Sequence, residues 1–149
     1  MRAILQRVRR GRVTVEDDVV AEIGPGYVIL LGVTLDDTED QAYWLAKKVA
    51  NLRLFEDPQG KMNLSLEDVG GQVLVVSQFT LYADARKGRR PSFTRAALPE
   101  KAEPLVQRFI ETVAAEVIPV QSGAFGEHML VEIENDGPVT LILERNLGD

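Results

Sequence analysis

Tyr27-Val28-Ile29-Leu30-Leu31-Gly32-Val33 is an apolar run without a single charged residue. A strand that is apolar at every position is typically buried on both faces of a sheet. Upstream of this run, residues 3–8 and 12–16 alternate apolar and polar side chains, which predicts two half-buried strands joined by a turn at Arg10-Gly11. Residues 19–23 predict a third strand. The N-terminal part of the chain is therefore expected to form a sheet.

Two helices are predicted from apolar side chains at helical spacing. The first begins near Thr38, which forms a capping-box pattern with Gln41 and has acidic neighbours. The second begins after Pro99 and repeats apolar residues at i, i+3, i+4 and i+7. The apolar positions are Ala42, Leu45, Ala46, Val49 and Ala50 in the first helix and Ala102, Leu105, Val106, Phe109, Ile110, Val113 and Ala114 in the second.

Further apolar runs predict strands at residues 73–76, 129–133 and 139–143, with a turn at Asn135-Asp136-Gly137-Pro138 between the last two. A polar loop of about fifteen residues is expected after residue 80, because periodicity is absent there. Strands with two segregated helices favour an α+β fold over a doubly wound one. The chain has neither internal repeats nor linker composition, so residues 1–149 are expected to form a single compact domain.

Composition excludes several classes of function. The chain has no cysteine, which excludes disulfides and thiolate chemistry. The N-terminus lacks the apolar run of a signal peptide and no apolar stretch is long enough to span a bilayer, so we expect a soluble cytoplasmic protein without membrane association. His128 is the only histidine and falls in a strand pattern, which favours a structural role over a zinc site or a serine–histidine–aspartate triad. No glycine-rich phosphate loop is present, and we expect neither a metal nor a cofactor.

The net charge of −6 argues against a nucleic-acid partner, but the basic residues are unevenly distributed. Residues 1–12 and 85–98 contain no acidic residue and together hold ten of the 17 basic residues. Each segment is either a local positive surface for a polyanion or an ordinary solvated face, and charge alone leaves both open. The ten residues are Arg2, Arg7, Arg9, Arg10 and Arg12 in the first segment and Arg86, Lys87, Arg89, Arg90 and Arg95 in the second.

Ser77-Gln78-Phe79-Thr80 follows directly after the predicted strand at residues 73–76. A strand end with small polar residues can present hydroxyls, an amide side chain and free backbone N–H groups at one place, as an oxyanion hole requires. Alternatively, these side chains only satisfy the backbone of a turn. The pattern alone leaves both open, and Gly137-Pro138 alone is an ordinary turn signal.

Together, three motifs resemble the D-aminoacyl-tRNA deacylase family. They are Ser77-Gln78-Phe79-Thr80, Lys87-Gly88-Arg89-Arg90-Pro91-Ser92-Phe93 and Asn135-Asp136-Gly137-Pro138-Val139-Thr140. Gln6-Arg7-Val8 and Lys61-Met62-Asn63-Leu64 are also similar to family sequences. The resemblance covers essentially the whole chain, and residues 144–149 are its least similar part.

The resemblance implies a homodimer of small barrel-like subunits with active sites at the dimer interface. Ser77, Gln78, Phe79 and Thr80 would line the pocket for the 3′-terminal adenosine and its aminoacyl ester. The backbone N–H groups of Gln78 and Phe79 would hold the developing oxyanion. Thr80 is a candidate nucleophile by residue type, but the sequence offers no evident base to activate its hydroxyl. Direct attack by water is therefore favoured. The family implies that the 2′-hydroxyl of the tRNA helps to activate this water.

The resemblance also implies a mechanism of chiral selection and a tRNA-binding surface. A cis Gly137-Pro138 peptide would enter the partner subunit's pocket, where its carbonyls exclude an L side chain while admitting D-aminoacyl and glycyl esters. Arg7 would anchor this segment by hydrogen-bonding its carbonyls. The N-terminal arginines, together with the segment that holds Arg86, Lys87, Arg89 and Arg90, would contact acceptor-stem phosphates.

Two other classes of function remain open at this stage. One is a hydrolase of another small ester or amide that uses Thr80 or Ser77 as its nucleophile, and a covalent adduct would support it. The other is a nucleic-acid-binding module without catalytic activity, which binding of charged tRNA without turnover would support.

Overall fold

Eight β-strands, three α-helices and one short 3-10 helix make up the computed structural model, which describes residues 1–149. In chain order the elements are β1 (Arg2–Val15), β2 (Asp18–Ile23), β3 (Gly26–Gly32), α1 (Glu39–Asn51), β4 (Phe55–Glu56), β5 (Met62–Leu64), α2 (Leu66–Val69), β6 (Gln72–Ser77), the 3-10 helix (Phe79–Tyr82), α3 (Pro99–Ala114), β7 (Val120–Ser122) and β8 (Leu130–Glu144).

A six-stranded mixed sheet forms the body of the molecule. Its strand order is β2-β1-β3-β6-β7, and β8 pairs with β1. Strand β1 is antiparallel to β2, β3 and β8, whereas β6 is parallel to both β3 and β7. Six of the seven residues of β3 are buried, which confirms the expectation from its uncharged sequence.

The side chain of Gln121 in β7 links the two ends of this sheet. The Glu22 backbone N–H donates to Gln121 Oε1 at 2.9 Å, and Gln121 Nε2 donates to the Glu22 carbonyl at 2.8 Å. The amide side chain thus replaces a missing backbone ladder between β7 and β2. The sheet is consequently a nearly closed barrel, and the expected α+β barrel-like fold is confirmed.

The core has two parts, one inside the barrel and one between the sheet and the helices. Helices α1 and α3 cover the sheet with the apolar stripes expected from the sequence, except that Ala114 at the end of α3 is exposed. The predicted capping box is present, because the Thr38 N–H donates to Gln41 Oε1 at 2.7 Å and the Thr38 hydroxyl caps the first turn. The barrel interior is filled by Val8, Val13, Ala21, Ile23, Val28, Leu74 and Val76.

The predicted turn at Arg10-Gly11 is wrong, because both residues lie within the continuous strand β1. Gly11 faces the barrel interior, where an added Cβ would lie 2.4 Å from Cγ2 of Val28. The glycine therefore permits close packing across the barrel and does not form a turn.

The predicted turn at residues 135–138 is also wrong, because these residues lie within the continuous strand β8. The register with β1 passes from Gln6 opposite Thr140 to Val8 opposite Asn135, so residues 136–139 bulge out opposite Arg7 alone. The chain thus departs from the ladder without reversing its direction.

Candidate active site

A cleft of about 720 Å³ opens where β6 ends. One wall contains Ser77, Gln78, Phe79 and Thr80, so the structure brings together all four residues that the sequence indicated as catalytic. The opposite walls come from the segment before α3 and from residues 125–129. Most of the remaining lining is apolar and includes Val33, Phe93, Ala97, Leu98, Phe125 and Met129.

Residues 77–82, called the cleft turn below, leave the sheet at the end of β6. Ser77 is still paired with Leu31 of β3, and the Gln78 N–H donates to the Leu31 carbonyl at 2.8 Å. The chain then enters the 3-10 helix, and Gln78 Nε2 donates to the Thr80 hydroxyl oxygen at 2.9 Å. The Gln78 amide thereby orients the Thr80 hydroxyl, whose own proton remains free to be donated.

The expectation that the Gln78 N–H holds an oxyanion is wrong for this chain, because that N–H is already bonded to Leu31. The first residues of a helix have no intrahelical acceptor for their N–H groups. Phe79 and Thr80 are the first two residues of the 3-10 helix. Their two amides are therefore the donors that this turn can offer to an oxyanion.

The second motif contacts the first through an aromatic pair. The rings of Phe79 and Phe93 meet edge to face, with centroids 5.2 Å apart. Phe93 follows a backbone bridge in which the Asp84 N–H donates to Ser92 O at 2.7 Å and the Ser92 N–H donates to Asp84 O at 2.9 Å. This bridge closes residues 85–91 into a loop beside the cleft, called the basic loop below.

The third motif is held by Arg7, which is buried with 6% of its surface exposed. Arg7 Nε donates to the Asp136 carbonyl at 3.0 Å, and Nη1 donates to the Leu54 carbonyl at 2.6 Å. The Gly137–Pro138 peptide bond is cis, and both residues are exposed. Arg7, Gly137 and Pro138 lie together on β1 and β8, and none of them lines the cleft of their own chain.

Residues 4–144 match the family model described as D-Tyr-tRNA(Tyr) deacylase. The chain belongs to the D-Tyr-tRNA(Tyr) deacylase family. A D-aminoacyl-tRNA deacylase of Symbiobacterium thermophilum is 58% identical over 144 residues, which cover 97% of this chain and 95% of the relative. The D-aminoacyl-tRNA deacylase of Heliobacterium modesticaldum is 57% identical over 149 residues, which cover 100% and 99% of the two chains. These matches confirm the resemblance and the expected enzyme class, a hydrolase of esters.

Two solved structures share the fold of this deacylase family member. The c-Myc DNA unwinding element binding protein has a TM-score of 0.90 and 40% identity, and the match covers 98% of this chain and 99% of that one. A probable eukaryotic D-amino acid tRNA deacylase has a TM-score of 0.80 and 21% identity, with 95% and 97% covered. The second similarity supports the fold alone.

The basic loop of this deacylase family member carries three cations without an acidic partner, Lys87, Arg89 and Arg90, and all three are exposed. Arg86 differs from them, because its Nε and Nη2 bind the two carboxylate oxygens of Asp84 at 2.9 and 2.8 Å. These bonds to Arg86 lower the pKa of Asp84 to about 2. Arg86 therefore stiffens the base of the loop and contributes little net charge to a phosphate surface.

Three of the five arginines of β1 do not contribute to a free positive surface. Arg2, Arg10 and Arg12 are each matched by an acid across the sheet, with the closest N–O distances at 2.6 Å for Arg2–Glu144, 2.7 Å for Arg10–Glu134 and 2.5 Å for Arg12–Glu132. Arg9 differs from them, because it is 79% exposed and lies 3.6 Å from Asp136. For Arg2, Arg10 and Arg12 the contact with acceptor-stem phosphates, expected from the sequence, thus has a weaker electrostatic basis. The bonds from Arg12 raise its pKa and lower that of Glu132.

His128 lies outside β8 and is exposed at the cleft, which corrects its predicted place in a strand. The segment that holds it, residues 125–129, was missed as a cleft wall because it has no periodic pattern. No group of three or more histidine, cysteine, aspartate or glutamate side chains is arranged to hold a metal ion. None of the three α-helices combines the length and the hydropathy that a membrane-spanning helix requires.

Proposed function

We propose that the protein hydrolyses the ester bond of D-aminoacyl-tRNA and releases tRNA and the free amino acid. The observation that carries this proposal is the cleft turn. It presents the amides of Phe79 and Thr80 at the edge of an apolar cleft, in a chain that belongs to the deacylase family. The apolar lining with Phe79 and Phe93 suits the terminal adenosine, since aromatic side chains stack on bases. Such a substrate places the protein at the site of translation, in the cytoplasm.

In the proposed reaction the carbonyl oxygen of the ester points at the N–H groups of Phe79 and Thr80. Water adds to the carbonyl carbon, and the oxyanion that forms is stabilised by these two donors. The bond to the 3′ oxygen then breaks, and that oxygen takes up a proton as the leaving group. The terminal 2′-hydroxyl assists the water in place of a protein base. No basic side chain contacts the Thr80 hydroxyl, which accepts a hydrogen bond from the Gln78 amide. Ser77, Gln78 and Thr80 position the ester and the water.

Chiral selection is assigned to Gly137 and Pro138 of a partner subunit in a homodimer. Two observations support this assignment: the segment is exposed and fixed by Arg7, and it lies outside the cleft of its own chain. Strand β8 pairs only with β1, so its other edge is open, and its side chains Leu130 and Ile142 are 63% and 70% exposed. An open edge with apolar side chains is suited to pairing with another chain. A backbone wall at the substrate Cα then excludes L side chains and admits D-aminoacyl and glycyl esters.

The tRNA-binding surface is assigned to the basic loop, with Lys87, Arg89 and Arg90 as the phosphate contacts. Replacing all three by alanine is expected to raise KM for D-tyrosyl-tRNA and to leave kcat nearly unchanged. Each lost phosphate contact reduces the magnitude of the negative slope of log K against log salt concentration by about 0.7–0.9. The magnitude of this slope should therefore fall by roughly two or more in the triple variant. Arg10→Gln is the matched control, because Arg10 is already neutralised by Glu134. An unchanged salt slope would move the tRNA site elsewhere.

A second candidate function is nucleic-acid binding without catalysis. It is favoured by the similarity to the c-Myc DNA unwinding element binding protein, which is 40% identical, and by the basic loop. A single experiment separates the two functions. The purified protein is given an excess of D-tyrosyl-tRNA with a metal chelator present, and release of D-tyrosine is followed over many turnovers.

We expect steady turnover with chelator and equally with His128→Ala, and no aminoacyl adduct on the protein by mass spectrometry. A loss of more than about tenfold, or about 1.4 kcal/mol of barrier, with either treatment would reveal a metal or a base. An adduct at Thr80 or Ser77 would establish covalent catalysis. Binding without turnover would refute the proposed function in favour of the binding module.

A further inference from the structure

The C-terminal end of the cleft turn is attached to β1 by one side chain, that of Arg2. Arg2 Nη1 donates to the Leu81 carbonyl at 2.5 Å. On its other side the guanidinium is held by Glu144, whose Oε1 lies 2.8 Å from Nε and 2.6 Å from Nη2. Arg2 and Glu144 are register partners on β1 and β8. The Leu81 carbonyl is thereby connected to the paired ends of two long strands.

The guanidinium also packs on the last residue of the turn. Arg2 Cζ lies 4.8 Å from the centroid of the Tyr82 ring, and Tyr82 itself is 5% exposed. The turn also rests directly on the end of β3, because a Cβ added at Gly32, the register partner of Arg2, would lie 2.9 Å from Leu81 Cβ. Leu81 and Tyr82 are therefore in contact with both the end of β3 and the Arg2 side chain.

The cleft turn needs such an attachment because its own hydrogen bonds are few. A 3-10 helix has poor hydrogen-bond geometry and is stable only in short pieces. The turn-type bonds run from Leu81 N–H to Gln78 O at 3.3 Å and from Ala83 N–H to Thr80 O at 3.0 Å. Gln78, before the helix, makes no side-chain cap bond. The orientation of the Phe79 and Thr80 amides thus depends on contacts made at the far end of the turn.

We propose that Arg2 is a positioning residue of the active site, which holds the cleft turn so that the Phe79 and Thr80 amides face the ester. The proposal rests on the proposed function of those amides. A guanidinium suits this role because its planar fork serves the Glu144 carboxylate and the Leu81 carbonyl together, whereas a lysine ammonium is a single point donor.

The test compares Arg2→Gln and Arg2→Lys with Arg10→Gln. Arg10 is a matched control, since it also joins β1 to β8 through an acid, with Nε 2.7 Å from Glu134, but makes no hydrogen bond or ion pair with the cleft turn. We expect kcat for D-tyrosyl-tRNA to fall about tenfold or more in both Arg2 variants, with KM changed less than about twofold, because misplaced donors weaken the transition state and spare tRNA binding. Arg10→Gln should keep both constants.

A second readout does not depend on activity. Hydrogen exchange of peptides that contain Leu81 and Ala83 should become at least about tenfold faster in Arg2→Gln and stay unchanged in Arg10→Gln. Equal kcat in Arg2→Gln and Arg10→Gln, or full activity of Arg2→Lys, would overturn the proposal. If the wild-type protein fails to turn over D-tyrosyl-tRNA, the proposed function is refuted, whereas exchange in this peptide still decides whether Arg2 holds the turn.

Discussion

Gly137→Ala is expected to lower the rate of D-tyrosyl-tRNA hydrolysis by about a hundredfold, because a misplacement of about 1 Å at the reacting centre costs that much. Gly137 has a φ of +139°, where an L side chain is strained. An added Cβ would lie 2.7 Å from Val139 Cγ2 and 3.0 Å from the Val139 backbone nitrogen. The segment must shift to relieve this contact, and the new methyl group would occupy space that the proposal gives to the substrate.

Gly60→Ala is the control for backbone strain. Gly60 also has a positive φ, +79°, but no atom lies within 4 Å of an added Cβ. The positive φ alone should cost each variant roughly 1–2 kcal/mol of stability, and the contact with Val139 adds to this cost in Gly137→Ala. Only Gly137→Ala should lose activity, measured as initial rates at matched folded concentration. Equal activity of the two variants would remove Gly137 from the substrate pocket.

Mixing two inactive variants is expected to restore activity if each site is shared between subunits. One variant carries Gln78→Ala and Thr80→Ala and retains an intact Gly137 segment. The other carries Gly137→Ala and retains an intact cleft turn. After random subunit exchange about half of the dimers are heterodimers, each with one intact and one doubly damaged site, so about a quarter of wild-type activity should return.

The control for this experiment is each variant taken alone through the same exchange procedure, which should stay inactive. Activity is measured with D-tyrosyl-tRNA, and the dimer fraction is measured by light scattering in the same samples. Absence of recovery in samples with confirmed heterodimers would show that each site is built within one chain. A fully active monomer would refute the shared site altogether.

The helices and the central strand were predictable because their signals are local. The capping box at Thr38 and the apolar stripes of α1 and α3 depend on spacing within one element, and all are present except that Ala114, predicted as the last stripe residue of α3, is exposed. The errors in β1 and β8 have a tertiary cause. Glycine at position 11 and Gly-Pro at 137–138 are turn signals in isolation, but β1 and β8 pair along almost their whole length and override them.

The candidate site was predictable in its residues but not in its hydrogen bonds. A strand that ends in Ser77-Gln78-Phe79-Thr80 indicates where polar groups emerge, and the cleft is found there. The use of the Gln78 N–H by Leu31 depends on the parallel register of β3 and β6, which no local pattern encodes. The closest acidic partners of Arg2, Arg10 and Arg12 likewise lie more than a hundred residues away, as Arg12 and Glu132 illustrate. The free charge of the basic segment at the N-terminus could therefore not be judged from that segment alone.

The most direct measurement is the parallel deacylation of D-tyrosyl-, L-tyrosyl- and glycyl-tRNA by the purified protein under single-turnover conditions. A backbone wall at the substrate Cα acts through steric exclusion, so the D ester should be hydrolysed at least about a thousandfold faster than the L ester, a difference of roughly 4 kcal/mol in barrier. Glycyl-tRNA has no side chain to exclude and should also be hydrolysed. Comparable rates for the D and L esters would contradict the proposed chiral deacylase.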